Sequence, residues 1–409
     1  MDRRRFLTSA ALGGVSAAVV GCSGDDTEAA AERSEGGIAA GSYLPFRGDH
    51  QVGITAAGQT TGLMAAFDVV ADDRGELEDL LAGLTVEIER VMSGTPYEER
   101  EPAYPALYTG TVGNPPPPVD LSAVVAVGSS LFDERYGLAD RKPAELAPMG
   151  ILANDRLDPR RTHGDLLVSI ASTHEDVDIF ALRQLMRATR GGMTLRWTTD
   201  GYLRRTKARP GEAGVRNLMG FVDGTANLDP DDRTQMEEFV WVAEGDAEPA
   251  WTVGGSYQAV RIIRMLVEFW DRTRLSEQER LIGRRKSDGA PLDGERETDE
   301  PDFAADPDGA LTPLESHIRL ARPRTPETEH QRFLRRGFNY SRGFDDAGQL
   351  DQGLAFVSFQ RSLNRQFLPV IARLDGEGLE EYIVPEGGGF FFALPGVARG
   401  EHLGTRLLA

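Results

Sequence analysis

The sequence predicts an α+β chain of two related sandwiches, each a layer of antiparallel sheet with helices on it. Three observations predict this. Short β-like runs alternate with helical patterns, whereas the long apolar runs of buried parallel strands between crossover helices are few, which disfavours a doubly wound sheet. The order of elements repeats after residue 216. A chain of 409 residues also exceeds what one hydrophobic core usually covers, so two domains of roughly 150 to 200 residues are expected.

The opening "MDRRRFLTSAALGGVSAAVVGCSGDD" stands apart. Arg3, Arg4 and Arg5 precede Phe6 and Leu7, and an apolar, small-sided stretch over 10–21 is too short to span a bilayer. Residues 1–22 therefore read as an export signal, and the RRxFL pattern is its twin-arginine form, an address read by the export machinery. Cys22, the only cysteine, ends "VVGC" where a lipoprotein signal is cut and acylated, so the expected product is extracytoplasmic and held to a membrane surface by lipid. Residues 23–42 are small, polar and acidic, a tether with little to bury. Folded sequence is expected from Tyr43.

In the first half, 43–215, "HQVGI" (50–54), "AAFDVV" (65–70), "SAVVAVG" (122–128), "DLLVSIA" (165–171) and "MTLRWTTDG" (193–201) read as strands. Residues 76–92 and 177–189 read as helices. In the second half, 216–409, strands are expected at "EFVWVAE" (238–244), "GGSYQAVRIIRM" (254–265), "RFLRRGFNYS" (332–341), "LAFVSFQ" (354–360) and "FFFALPG" (390–396). Helices are expected over 266–284 and 363–374. "NPPPP" at 114–118 is an extended connection, and 285–310 is a long polar excursion of a length that is often functional.

A formal charge of −20, with Lys142, Lys207 and Lys286 as the only lysines, repels nucleic acid and anionic lipid heads and excludes the first as a partner. One cysteine rules out an internal disulfide and a thiolate metal cluster. No glycine-rich dinucleotide loop follows a strand, so nicotinamide chemistry is not expected.

The candidate chemistry lies in the second half. "GFVDGTANLDPDD" (220–232) places Asp223 in an Asp-Gly turn; its acids do not follow the spacing of an EF-hand loop. Alone, such a turn is usually structural. In "PLESHIRLARPR", His317 follows Leu314 by three residues, and Ile318 and Ala321 continue a helical stripe that Pro323 ends, which directs the imidazole to a buried face. In "RFLRRGFNYS" strand alternation turns one of Arg335 and Arg336 inward, where a guanidinium needs an anion or a polar cavity.

With these blocks in order, the chain resembles the dye-decolorizing peroxidases and, within them, the exported branch that includes the deferrochelatase/peroxidase of bacterial iron uptake. "HQVGI", "AAFDV" (65–69), "GSSLFDERYGL" (128–138), "GFVDGTAN" (220–227), "GGSYQAVRIIRM", "EQERLIGRRKSDGAPL" (277–292), "SHIRLARPR" (316–324) and "RRGFNYSRG" (335–343) carry the resemblance. It implies two ferredoxin-like domains of the dimeric α+β barrel type. One haem b per chain would be held mainly by the C-terminal domain.

The resemblance makes His317 the proximal ligand to haem iron, Asp223 the distal acid/base for heterolysis of hydrogen peroxide, and Arg335 the distal cation. Physical chemistry agrees: a neutral imidazole is the usual peroxidase axial ligand, a carboxylate can relay the proton, and a guanidinium stabilises developing negative charge. Carboxylates titrate near about 3.9, so activity is expected to peak in acid. The resemblance also places Arg319 and Arg261 as propionate holders, Asn227 at the cofactor and Phe338 as a pocket wall. Surface ion pairs and core packing are the alternatives for the arginines and the phenylalanine. Ser362 stands where an acid partner of His317 is expected, and Arg322 where asparagine is expected, so the partner of His317 is left unnamed. For dyes too bulky to enter, Trp197, Trp241, Trp251, Trp270 and Tyr340 are the pool of relay residues.

The implied activity is single-electron oxidation of dyes, phenols or other organic reductants by hydrogen peroxide. The alternatives are release of iron from haem, with iron-uptake components as partners, or a non-catalytic haem-binding lipoprotein.

Overall fold

The structure, a computed structural model, describes residues 43–204 and 215–409. The export signal, Cys22 and the tether lie outside the described residues.

The first half runs β1 (Thr61–Val69), α1 (Arg74–Ser93), β2 (Ser122–Gly128), β3 (Leu166–Ser172), α2 (Glu175–Ala188) and β4 (Met193–Tyr202). Its strands lie in the order β2-β3-β1-β4, all antiparallel. This is a ferredoxin-like βαββαβ unit. The second half runs α3 (Arg233–Phe239), β5 (Ser256–Met265), α4 (Val267–Trp270), α5 (Leu275–Ile282), α6 (His317–Ala321), β6 (Leu334–Arg335), β7 (Phe338–Phe344), β8 (Leu350–Gln360), α7 (Leu368–Leu374), β9 (Ile383–Ala393) and α8 (Thr405–Leu408). With β6 and β7 taken as one interrupted strand, its order β7-β8-β5-β9 repeats the same pattern.

The halves pair β2 with β9, from Ala126↔Ala393 to Gly128↔Phe391, and β4 with β7 at Tyr202↔Asn339. Because β5 also pairs with β8, the nine-stranded sheet closes on itself and leaves the short β6 as an edge strand. Side chains alternate accordingly. Met64, Ala66, Val124, Val260, Ile262 and Val357 point into the barrel. On the outer face of the first half, Leu63, Ala65 and Phe67 pack on the leucines of α1 and on α2.

Helix α1 follows the sequence reading closely. Asp73 caps it by accepting from Glu76 N, and Gly94 ends it in the left-handed region at φ 64°. Leu77, Leu81, Leu84, Ile88 and Val91 recur at helical spacing and are buried, each worth roughly 1.5–3 kcal/mol of burial. Leu84→Ala would cost about 2–5 kcal/mol.

Four expectations are corrected. Residues 50–54 form a short 3-10 turn, Val52–Ile54, rather than a strand. There the Gln51 amide donates to Val125 O and Leu394 O and accepts from Val125 N, all at 2.8 Å, so one side chain bridges β2 and the end of β9. Residues 238–244 are not a strand, because α3 runs through Phe239, capped by Asp232, which accepts from Gln235 N while Gln235 Nε2 donates back at 2.6 Å. The helix expected over 266–284 is two pieces, α4 and α5. The strand over 332–341 is broken between Arg335 and Phe338.

Candidate active site

Asp223 is placed by a loop whose backbone turns twice through the left-handed region, at Gly220 (φ 87°) and Gly224 (φ 93°). A Cβ on Gly220 would lie 2.5 Å from Lys286 Cε. Asn217 Oδ1 accepts from Met219 N and Phe221 N at 3.1 and 3.3 Å. Arg216 Nη1 donates to Gly220 O and Lys286 O at 2.7 and 2.6 Å. Asp223 N donates to Val215 O and its Oδ1 accepts from Gly224 N, both at 2.8 Å. The polar excursion over 285–310 walls this loop: Thr225 Oγ1 donates to Glu297 Oε1 at 3.1 Å, and buried Arg284 donates to Gly289 O and Glu297 O.

Strand alternation decides the arginine pair. Leu334 is fully buried inside the barrel, so Arg335 faces outward beside the Asp223 loop, while Arg336 turns the other way and donates to Gln59 Oε1 at 2.7 Å. Arg335 Nη2 donates to Thr225 O at 2.8 Å, and Nη1 stands 3.6 Å from Asp223 Oδ1. That gap is too long for a hydrogen bond. Both side chains are about a third exposed, at 33% and 29%, and so keep donors and acceptors for a small molecule between them.

His317 is the first residue of α6 and follows the N-cap residue Ser316. Leu314 lies before the helix and is exposed, so the expected stripe begins at His317 itself. No residue of the helix is fully buried, although α5 and α7 contact it and Arg373 on α7 donates to Leu320 O at 2.9 Å. The partner that the sequence left unnamed is Glu377, just past α7: both carboxylate oxygens accept from His317 Nδ1, at 3.0 and 2.9 Å. Glu377 is 4% exposed against 35% for His317. Burial lowers the imidazole's pKa, but the charge and hydrogen bond of Glu377 outweigh it and leave the pKa raised. Arg335 lowers it and Asp223 raises it as well. Ser362, where an acid was expected, instead donates to Glu145 Oε1 at 2.8 Å.

With Nδ1 held by a carboxylate, Nε2 is the ring nitrogen left to bind, and it makes no hydrogen bond among the described residues. Among those residues no group of three or more His, Cys, Asp or Glu could chelate a bare metal ion. A single anchored imidazole suits a metal that brings its own equatorial ligands, as a porphyrin does. Phe356 and Phe390 on the outer sheet face pack with Phe333 and with Phe367 of the turn before α7, at 5.7–6.4 Å, and Phe367 and Phe390 are buried in the core.

Four residues expected at the cofactor have partners within the protein. Arg319 donates to Thr312 O and Asp306 O at 2.9 and 2.8 Å, faces the Asp306 carboxylate and lies over Phe303. Arg261 is buried in an ion pair with Asp155. Both guanidinium charges are thus already balanced within the protein. Asn227 spends its amide on the backbone of Arg335. Phe338 shares a strand face with buried Tyr340, inside the barrel, and its ring lies where a Cβ on Gly62 would approach to 2.5 Å.

The relay pool is buried as well: Trp197 is 5% exposed, Trp241 7%, Trp251 4% and Trp270 1%. Trp241 stacks on His50 at 3.9 Å. Trp270 contacts Phe221 at 6.1 Å and Tyr382 at 4.8 Å, and Tyr382 stacks at 4.9 Å on the exposed Phe269.

Two family models match the chain: Dyp-type peroxidase, N-terminal, over 51–203, and Dyp-type peroxidase, C-terminal, over 214–398. The chain is 46% identical over 367 residues to the deferrochelatase of Escherichia coli strain K12, covering 89% of this chain and 87% of that one. Ferric DtpA from Streptomyces lividans superposes with a TM-score of 0.80 at 37% identity, over 90% of this chain and 98% of that one. A DyP-type peroxidase from Cellulomonas bogoriensis does so with a TM-score of 0.80 at 34% identity, over 90% and 99%.

Proposed function

This chain belongs to the Dyp-type peroxidase family of haem enzymes, and on that basis we propose that it uses hydrogen peroxide to oxidise dyes, phenols and related reductants by single electrons, with haem b held by His317. The observation that carries the reading is the imidazole fixed by Glu377, together with Asp223 and Arg335 facing each other at 3.6 Å. Bound there, haem would supply the iron that accepts electrons from the reductant and delivers them to peroxide.

The protein's own groups supply the rest. Glu377 holds the Nδ1 proton of His317, which fixes the tautomer and orients Nε2 toward the metal. Asp223 takes the proton from one oxygen of hydrogen peroxide and returns it to the other as the bond between them breaks. Arg335, tied to Thr225 O, directs its remaining N–H groups at the negative charge that develops. Arg284, buried and donating to carbonyls with no carboxylate in contact among the described residues, would have its charge available for a propionate. Dyes that cannot enter would pass electrons through Tyr382 and Trp270, one ring behind exposed Phe269; Trp270→Phe should then slow dye oxidation while sparing small phenols. The division near residue 215 into two ferredoxin-like halves, export by the twin-arginine route and lipidation at Cys22 belong to the same reading. It is supported by the family boundaries at 203 and 214 and by the motifs of residues 1–22.

A second reading has its own support, since relatives 46% identical are named deferrochelatase: removal of iron from haem with the tetrapyrrole intact. Haem-loaded protein incubated with peroxide and a dye, against the same protein followed for metal-free porphyrin fluorescence, separates the two. Peroxide-dependent bleaching without porphyrin release is expected; porphyrin release without bleaching would favour the second reading.

A further inference from the structure

Arg335 lies on an open strand edge. Strand β6 pairs with β8 through Leu334↔Phe359 and Arg335↔Ser358, and the next bond to β8 runs from Arg336 N to Val357 O at 2.8 Å. The backbone N–H and C=O of Arg335 therefore face away from β8. Both are taken by one side chain: Arg335 N donates to Asn227 Oδ1 and Asn227 Nδ2 donates to Arg335 O, each at 2.9 Å. A primary amide here does what a neighbouring strand would do.

The clamp belongs to the Asp223 loop. Thr225, two residues before Asn227, accepts the guanidinium of Arg335 through its carbonyl at 2.8 Å, and Asp223 faces the same guanidinium at 3.6 Å. Between Thr225 and Asn227, Ala226 takes φ 58°, a left-handed conformation that is costly for a non-glycine residue. That turn brings the Thr225 carbonyl and the Asn227 amide to the same arginine.

We propose that Asn227 is a positioning residue for Arg335: its amide locks the Arg335 backbone to the loop that carries Asp223, so that the separation of carboxylate and guanidinium is set by one rigid unit. The inference rests on the reading of Arg335 as the distal cation. It assigns Asn227 no contact with cofactor or substrate.

The test is a double-mutant cycle on the haem-loaded enzyme with Asn227→Ala, Arg335→Ala and the pair. It is read by the second-order rate constant for peroxide and by the equilibrium affinity for cyanide, which binds by giving up a proton beside the same groups. Asn227→Ala alone should keep its haem, slow the peroxide reaction about 10- to 100-fold, as expected for a small misplacement of a catalytic group, and weaken cyanide binding. In the Arg335→Ala background the same substitution should change neither beyond about twofold, since residues acting as one unit are not additive. Equal effects in both backgrounds would overturn the proposal while leaving the role of Arg335 standing, as would an Asn227→Ala protein with unchanged peroxide and cyanide constants. If Arg335→Ala is itself without effect, the reading of Arg335 fails and the proposal with it. Should Asn227→Ala not accumulate with haem, Asn227→Leu replaces it in the cycle with the same expected and overturning results, since it is similar in volume, adds no charge and loses both hydrogen bonds.

Discussion

Replacing Glu377 by glutamine removes a charge and little else. The amide oxygen can still accept from His317 Nδ1, where the carboxylate oxygens now stand at 3.0 and 2.9 Å, and the site is buried, with Glu377 4% exposed. A unit charge about 4 Å from another is worth about 4 kcal/mol at an effective dielectric of about 20. When Nε2 binds a cation the ring takes up a fraction of a charge, roughly a quarter to a half, so the carboxylate contributes about 1–2 kcal/mol, drawn from that Coulomb energy. It should favour ferric over ferrous haem by about 5- to 30-fold. For a one-electron couple, tenfold is 59 mV, and Glu377→Gln should raise the reduction potential by about 40–90 mV. The assay is spectroelectrochemical titration of the Soret band at constant pH, wild type against variant. An unchanged or lowered potential in a variant that keeps its haem would refute the idea that Glu377 tunes the ligand.

Three further outcomes follow from particular contacts. Asp223→Asn should keep the haem spectrum but slow the peroxide step about 10²- to 10⁴-fold, the range for loss of a positioned general acid or base; stopped-flow mixing with peroxide reads it. Asp155→Asn strands the buried charge of Arg261 and should destabilise folding by about 3–5 kcal/mol, with peroxide reactivity per bound haem unchanged, as seen by denaturant unfolding and haem titration. The Asp178 carboxyl on α2 is pushed up to about 6, chiefly by burial, with hydroxyls of Ser172 and Thr61 pulling the other way. The folded state there binds a proton more tightly than the unfolded chain, so stability is full below about pH 4 and falls as pH rises through 6, by about 3 kcal/mol at most. Asp178→Asn should flatten that fall, and equal pH slopes in both proteins would contradict it.

How far the sequence reached depended on the range of the signal. Strand alternation and helical periodicity are local, and they located β1 to β5, α1 and α2 to within a few residues. The local signature of α3 was present too, as Asp232 and Gln235 at capping-box spacing, but the run of aromatic and β-branched residues "FVWV" read more strongly as strand. His317, Asp223 and Arg335 were named, and the structure sets Asp223 and Arg335 3.6 Å apart. Glu377 was not, because it meets His317 across 60 positions through two separate helices, and no periodic pattern links them. A guanidinium in a sequence likewise carries no mark of its partner, so Asp155 beside Arg261 and Asp306 beside Arg319 were not foreseen. Gly62 likewise gave no hint that the ring of Phe338 would lie over it.

In the proposed function His317 Nε2 would hold the haem iron while Asp223 and Arg335 serve the peroxide. The most direct test is His317→Gly reconstituted with haem, with and without free imidazole, followed by absorption and by peroxide reaction. Loss of the native spectrum and of turnover, both restored by imidazole, is the predicted result. Native spectrum and full turnover in His317→Gly without imidazole would contradict it.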